Sequence, residues 1–207
     1  HYHNSYFVGF LMDGILLLEK QKETNHYQIQ SLPINSGVFC LKKDRFQDVV
    51  WIGTDGQGVY LYSNPLYSIK SMVLSNYTEK IERPVRAIYL DDERTFWVGT
   101  KGNGILKIYD YEFDKNISDC RAEVLTTSNS ALSSNAVYCF AKSHRNLLWI
   151  GDEEGLTYYS YREKRIKSMP IRIGNEDFKY IHDIYETADS ELWLASVGMG
   201  VVKARIA

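Results

Sequence analysis

Four apolar segments of the sequence begin with Val or Ile and then place side chains of different chemistry at their second position. These second residues are Phe39, Arg86, Tyr138 and His182. Aromatic faces stack on ring-shaped ligands, and a guanidinium donates several hydrogen bonds in a fixed geometry. Different side chains at equivalent positions are what a binding site built on a repeated scaffold requires. The spacing therefore indicates a candidate ligand-binding site.

Other reactive residue types lack the spacing that their chemistry requires. The cysteines at 40, 120 and 139 form no CxxC pair and have no histidine at metal-ligand spacing. The acidic hairpin at Glu153 and Glu154 lacks the alternating carboxylates of a calcium loop. We therefore expect no metal, no cofactor and no catalytic residue in this chain.

A repeat positions the candidate residues. Its aromatic anchors are Phe7, Trp51, Trp97, Trp149 and Trp193, spaced 44, 46, 52 and 44 residues apart. Each anchor opens an apolar strand that is followed by a hairpin and a second apolar strand. A period of this length is typical of one four-stranded blade. The sequence thus predicts an all-β fold, in which residues 1–207 form a single β-propeller segment of about 4.5 repeats.

Each unit is predicted to contain four strands, here called A to D. Strand A starts at Val38, Val85, Val137 and Ile181, strand B carries the anchor, and strand C follows the hairpin. Candidate D strands cover 68–74, 120–125 and 165–170. The hairpin glycines are expected at positive φ, and the glycine two residues after Trp is expected to permit close backbone approach. On this pattern the chain begins at strand B of the first unit and ends at strand C of the last.

A propeller binds ligands at the mouth of its central channel, where the inner A strands begin. By repeat arithmetic the candidate ligand-binding residues at this mouth are Arg83, Arg86, Asn135, Tyr138, Tyr180, His182 and Asp183. A ring-shaped polar ligand would stack on Tyr138 or Phe39. It would form hydrogen bonds with Arg83, Arg86, Asp183 or Asn135. In the alternative, these side chains fill the channel and bond to one another, because an Arg/Asp pair suits a hydrated channel with or without a ligand.

The repeats resemble the two-component regulator propeller family, whose consensus has the form N-x-V-x-x-I-x-x-D-x-x-G-x-L-W-I-G-T-x-x-G-G-L. Residues 132–152, LSSNAVYCFAKSHRNLLWIGD, carry the best copy, and residues 31–58 follow it with one insertion. The last copy departs from the pattern, since Ala195 and Ser196 stand where Gly and Thr are usual. The resemblance covers nearly the whole chain and implies a partial propeller from a longer sensor.

The resemblance also implies a function. Family members of this kind are periplasmic sensor regions of Bacteroides-type hybrid two-component systems, which recognise an oligosaccharide and control polysaccharide-utilisation genes. The implied partners are an oligosaccharide or other small-molecule ligand, the remaining repeats and signalling domains of the same receptor, and a second receptor copy in a homodimer. The histidine kinase and the membrane segment would lie outside this segment, so we expect the segment itself not to be an enzyme.

Two other function classes stay open. A propeller glycoside hydrolase or lyase needs paired carboxylates or a histidine cluster, whereas Asp183 is the one carboxylate among the channel candidates. A protein-interaction scaffold is compatible with the same fold.

Composition excludes two further classes. A net charge of -2 gives no basic field that would attract nucleic acid, and the apolar run Ile15–Leu18 is too short to span a membrane. Membrane association is therefore expected only through segments outside this one.

Overall fold

The structure is a computed structural model that describes residues 5–21, 26–63, 68–72, 83–111, 120–189 and 191–206. Within these ranges every regular element is a β-strand, which confirms the predicted all-β class. The strands are β1 (Ser5–Gly9), β2 (Ile15–Lys20), β3 (Tyr27–Ser31), β4 (Val38–Lys43), β5 (Val49–Thr54), β6 (Val59–Ser63), β7 (Ser68–Met72), β8 (Val85–Leu90), β9 (Phe96–Thr100), β10 (Ile105–Ile108), β11 (Ala122–Leu125), β12 (Val137–Lys142), β13 (Leu147–Asp152), β14 (Leu156–Ser160), β15 (Arg165–Ser168), β16 (Arg172–Ile173), β17 (Glu176–Asp177), β18 (Ile181–Glu186), β19 (Glu191–Ser196) and β20 (Gly200–Arg205).

The strands form five antiparallel blades in chain order. Blades 2, 3 and 4 have four strands each and consist of β4–β7, β8–β11 and β12–β15. Blade 1 (β1–β3) and blade 5 (β18–β20) have three strands each, because the first sheet opens on strand B and the last ends on strand C. The A strands start at the predicted residues, and the D strands lie within the predicted ranges; residues 73 and 74 are outside the described part.

The inner A strands bring the blades together. Strand β8 contacts β4 on one side and β12 on the other, and β12 contacts β18 in turn. Because neighbouring blades meet chiefly through these strands, the first residues of successive A strands lie side by side. The described residues contain no helix that could cross a lipid bilayer.

Three of the four anchor tryptophans form the core between neighbouring sheets, as predicted, whereas Trp193 of blade 5 is partly exposed. Trp51, Trp97 and Trp149 are completely buried, and the Trp51 ring stacks on Phe96 of the next blade at a centroid distance of 4.1 Å. Their indole N–H groups donate to carboxylates of Asp44 (2.8 Å), Asp91 (2.9 Å) and Glu186 (2.7 Å). A buried indole N–H needs such an acceptor, so each tryptophan is fixed in orientation as well as in depth.

The glycine after each tryptophan makes room for the next blade, which confirms the expected close approach. A Cβ on Gly99 would lie 2.8 Å from Val137 Cγ1, and one on Gly151 would lie 2.6 Å from the Ile181 carbonyl oxygen. The hairpin glycines differ, because Gly58 and Gly104 have φ angles of 75° and 74°, as predicted. Gly99 and Gly151 are therefore needed for close packing between blades, whereas Gly58 and Gly104 are needed for a positive φ.

Candidate functional site

Each inner strand carries a β-bulge at its second residue. Pairing with strand B jumps from Val38 to Cys40, from Val85 to Ala87, from Val137 to Cys139 and from Ile181 to Asp183. The residues left out of the pairing are Phe39, Arg86, Tyr138 and His182, here called the bulge row. A bulge twists its strand and redirects the side chain of the extra residue. The four side chains singled out in the sequence thus share one backbone irregularity, repeated once in each of four blades.

The bulge row consists of two stacked pairs. The Arg86 guanidinium carbon lies 3.8 Å from the centroid of the Phe39 ring, which is close cation–π geometry. The Tyr138 and His182 rings lie 4.2 Å apart with an interplanar angle of 21°. Since the four residues come from adjacent inner strands, the row presents ring faces and one guanidinium across blades 2 to 5.

At neutral pH the bulge row carries one formal charge, that of Arg86. Desolvation raises the pKa of Tyr138, with Glu153 adding to the rise and Arg86 opposing it. Desolvation lowers the pKa of His182 below its ordinary value of 6.5, and the positive charge of Arg86 lowers it further. Both rings are therefore predominantly neutral at pH 7, and Arg86 supplies the charge.

Arg86 has no polar partner among the described residues. Its Nε atom is buried without a hydrogen-bond acceptor, and the guanidinium forms no ion pair in that part of the chain. The adjacent carboxylates are engaged elsewhere: Glu153 accepts from the Ser134 hydroxyl at 3.4 Å, and Asp183 accepts from the Ile184 N–H at 2.9 Å. The row therefore contains a half-buried cation with unused donors.

Tyr180 extends the row at its outer end. This residue has a φ angle of 54° and a 42% exposed side chain, an uncommon backbone conformation for a tyrosine. Its N–H donates to the Glu153 carbonyl at 3.0 Å, and its phenol contributes to the raised pKa of Tyr138. The structure thus brings Arg86, Tyr138, Tyr180 and His182 to one surface.

The remaining sequence candidates occupy other places. The side-chain oxygen of Asn135 accepts from the Thr127 N–H at 2.9 Å, and its carbonyl accepts from the N–H groups of Gly102 and Gly104. Asn135 therefore fixes the loop before β12 to the β9–β10 hairpin. Arg83 is exposed and lies along the same hairpin, with its Cγ 3.7 Å from the position of a Cβ on Gly102.

Asp183 belongs to a different row from His182. It holds the register position of Cys40 and Cys139, whose side chains pack against the following blade. In blade 5 that face is uncovered, and Asp183 is exposed on it. Among the described residues, no hydrogen bond or ion pair joins Asp183 to a member of the bulge row.

Asp152 is a residue at this site that sequence reasoning missed. It is completely buried at the end of β13, and its carboxylate accepts from the Ser133 hydroxyl at 2.6 Å and from the N–H groups of Glu154 and Gly155. Desolvation raises its pKa to about 6, although these hydrogen bonds oppose the rise. The available signal was a carboxylate at a position where two other copies carry Thr54 and Thr100.

Lys107 is a second buried charge that the sequence analysis missed. Its Nζ donates to the Tyr159 hydroxyl at 3.0 Å, lies 3.4 Å from a Glu123 oxygen and sits 4.7 Å above the Trp97 ring. It lines a cleft of ≈ 300 Å³ on the outer side of the interface between blades 3 and 4. Since its ammonium is bonded and enclosed by rings, Lys107 joins two blades.

The described residues offer little for covalent or metal chemistry. They contain no group of three or more His, Cys, Asp or Glu side chains able to hold a metal ion. Burial raises the pKa of the Cys40 thiol to about 12, and it raises that of Cys139 as well. Both cysteines are therefore thiols rather than nucleophilic thiolates at neutral pH.

Solved structures with the same fold cover almost the whole chain. An extracellular domain of a hybrid two-component system from B. thetaiotaomicron superposes with a TM-score of 0.72 at 23% identity, covering 99% of this chain and 26% of that one. PorZ, a surface component of the type-IX secretion system of Porphyromonas gingivalis, gives 0.70 at 14% identity, with coverages of 99% and 31%. The β-propeller domain of Cps50 from Myceliophteria thermophila gives 0.65 at 8% identity, with coverages of 97% and 65%.

The sequence comparisons are sparser. No family model matches the chain. Translation initiation factor 6 of Saccharolobus solfataricus is 30% identical over 140 residues, which is 61% of this chain and 57% of that protein. The chain thus spans little more than half of that relative and about a quarter to a third of the two bacterial surface structures. Together with the blade topology, the structural likenesses confirm the fold as a β-propeller segment whose described blades do not close into a ring.

Proposed function

We propose that this chain is the periplasmic ligand-sensing segment of a hybrid two-component histidine kinase and response regulator, and that it recognises an oligosaccharide to control polysaccharide-utilisation genes. The observation that carries the proposal is the bulge row, in which four blades each contribute one ring or guanidinium to a common surface. The likeness to extracellular domains of hybrid two-component systems supports the choice of protein class.

The chemistry of the row suits a saccharide. The rings of Tyr138 and His182 stack on each other, and the outer face of this stack offers an apolar surface for the C–H face of one pyranose ring. The half-buried guanidinium of Arg86, which has no ion pair among the described residues, can bond to substituents at the edge of that ring. A surface that combines an apolar platform with a few convergent polar groups is typical of a small-molecule site.

Signalling requires that the ligand favours one of two receptor arrangements, since binding shifts an equilibrium only through differential affinity. An oligosaccharide lying along the row would contact inner strands of several blades at once. Its binding energy would then favour one relative position of those blades. We place the further repeats, the signalling domains and a second receptor copy among the partners through which this change would act.

A protein-interaction scaffold is the second candidate function. It is favoured by exposed apolar side chains on the outer blades, with Met12 85% and Val201 66% exposed. Such side chains on an outer face are typical of a protein-binding surface. In that case the binding partner would contact blades 1 and 5 and leave the bulge row unoccupied.

A calorimetric titration of the chain with plant and host oligosaccharides tests the proposal. We expect saturable binding to at least one saccharide, and a loss of about tenfold in affinity for Tyr138→Ala and for His182→Ala, because each removes one ring of the stack. Tyr185→Ala is the matched control, since Tyr185 is exposed on the same strand as His182 and lies outside the row.

Three results would count against the proposed sensor. Heat that continues after saturation would indicate turnover and hence an enzyme. Equal losses of affinity in the control and in the two row variants would place the binding site elsewhere. The absence of binding by every saccharide in the panel would favour the scaffold.

A further inference from the structure

Arg86 is the arginine whose Nε is buried without a hydrogen-bond acceptor among the described residues, and its guanidinium forms no ion pair there. Arg45 also lies over an aromatic ring, that of Tyr89, but its guanidinium is paired with Asp92 at 2.6 Å. Arg165 is paired with Glu163 at the same distance. Arg86 is stacked on Phe39 and half-buried, yet it lacks such a pair.

A half-buried cation without an anion is energetically unfavourable, because it gives up hydration without a compensating ion pair. The ring of Phe39 compensates one face of the guanidinium and leaves its N–H edge unsatisfied. The equivalent positions in the other three A strands carry neutral side chains, so the charge is particular to blade 3. Because the charged guanidinium of Arg86 has no counter-ion among the described residues, we expect an anion to bind there.

The carboxylates around the bulge row do not supply that anion. Glu153 and Asp152 both raise the pKa of Tyr138, yet neither is paired with Arg86. Asp152 accepts from Ser133 and from two backbone N–H groups, and Glu153 accepts from the Ser134 hydroxyl. The positive charge of Arg86 acts on both Tyr138 and His182, so an anion paired with it would lie beside these rings.

We infer that the saccharide recognised at the bulge row is acidic and that its anionic group, a carboxylate or a sulfate, pairs with Arg86 while its ring lies against the outer face of the Tyr138–His182 stack. This inference rests on the proposed function of the row. A guanidinium matches both groups, because its fork of N–H donors bonds two oxygens of one anion at once. Recognition of charge in this way adds selectivity that stacking alone does not provide.

The test uses saccharides matched in length and differing in charge: trigalacturonate, galactotriose and a sulfated galactotriose. We expect the wild-type chain to bind at least one of the two acidic trimers roughly tenfold or more tightly than the neutral trimer. That advantage should shrink as salt is raised from about 0.05 to 0.5 M, because salt screens an exposed ion pair. The carboxylated and sulfated trimers show which anionic group the site prefers.

Variants identify the residue responsible. Arg86→Met should abolish the preference for the acidic trimers and leave the affinity for galactotriose within about threefold, whereas Arg86→Lys should keep part of the preference. Arg121→Met is the matched control and should keep all of it, since Arg121 is likewise stacked on a ring, that of Tyr109 at 4.1 Å, outside the row. If Arg86→Met does not fold, Arg86→Lys and the salt dependence of the wild type still decide the question.

The failures of the two proposals are distinguishable. Equal affinity for acidic and neutral trimers, or a preference that survives Arg86→Met, would overturn the inference about charge. If saccharide binding is then still lost in Tyr138→Ala, the proposed function stands without it. If no saccharide binds, both are overturned.

Discussion

Asp152 takes the place that Thr54 and Thr100 hold in preceding copies of the repeat, at the end of the Trp-containing strand. In those copies the threonine hydroxyl donates to the carbonyl of the hairpin glycine at 2.8 Å. The carboxylate of Asp152 instead accepts hydrogen bonds from the hairpin N–H groups and from Ser133. The same structural position thus holds a titratable group that is completely buried behind Tyr138.

Asp152 should make the stability of the protein depend on pH. Its pKa is raised from 3.8 to about 6 in the folded state, so folding favours the protonated form. This contribution to stability is fully present below the unfolded pKa and is lost as the pH rises through the folded value. The loss is roughly 3 kcal/mol for a shift of about two units, at 1.36 kcal/mol per unit.

Urea unfolding of the wild type and of Asp152→Asn at about pH 4 and pH 7.5 measures this effect. The asparagine keeps an acceptor for the two N–H groups and cannot ionise. Between the two pH values, the wild type should therefore lose roughly 2 kcal/mol more stability than the variant, because at pH 4 the unfolded carboxyl is already partly ionised. Asp189→Asn, in an exposed turn, should follow the wild type. Parallel curves for wild type and Asp152→Asn would contradict a raised pKa.

Repeat arithmetic on the sequence could predict the members of the bulge row but not how they pair. The row follows from the position of each second strand residue, which lies 11 or 12 residues before its tryptophan. Stacking of Arg86 on Phe39 and of Tyr138 on His182 depends on which blades are neighbours and on the bulge, and neither is visible in residue types. The sequence also assigned Asn135 and Asp183 to the site, because sequence distance gives the place of a residue in the repeat and does not give the direction of its side chain.

Neighbouring blades are joined by close contacts between a glycine of one blade and a β-branched residue of the next. Each glycine after an anchor faces the first residue of the next A strand, as Gly99 faces Val137. The outer part of the interface between blades 3 and 4 adds the Trp97–Tyr159 ring contact at 4.8 Å and the Lys107–Tyr159 hydrogen bond. Such an interface tolerates little added volume, because protein interiors are close-packed.

Gly99→Ala should destabilise the protein by about 1–3 kcal/mol, the usual effect of overfilling a core, since its Cβ would lie 2.8 Å from Val137 Cγ1. Adding Val137→Ala should make Gly99→Ala less harmful, because the smaller side chain vacates that space. Ala195→Gly is the comparison at the equivalent position of blade 5 and should change stability by no more than about 1 kcal/mol. Chemical denaturation measures all three. Unchanged stability in Gly99→Ala would contradict the close-contact account.

The long strands were predictable because their tryptophans, glycines and apolar alternation repeat. The β16–β17 hairpin was not, since two residues per strand give no periodicity, and the segment Arg172–Asp177 is exposed and polar apart from Ile173. The buried position of Lys107 was equally hidden. A lysine in the apolar strand Ile105–Ile108 becomes understandable only when Tyr159 of the next blade is placed beside it.

The whole molecule is an arc of blades whose two outer faces differ from its internal interfaces. Trp149 is completely buried under blade 5, whereas Trp193, its equivalent in blade 5, is 41% exposed. Ala195 in place of glycine changes that outer face further. The inner strands of blades 2 to 5 nevertheless form one continuous row, so the candidate site is formed entirely within this arc.

A crystal structure of the chain with the saccharide that binds best in the calorimetric panel tests the central claim most directly. We expect a sugar ring against the outer face of the Tyr138–His182 stack, within hydrogen-bond distance of the Arg86 guanidinium. A saccharide bound instead in the cleft beside Lys107, or on the outer face of blade 5, with the bulge row empty, would contradict it.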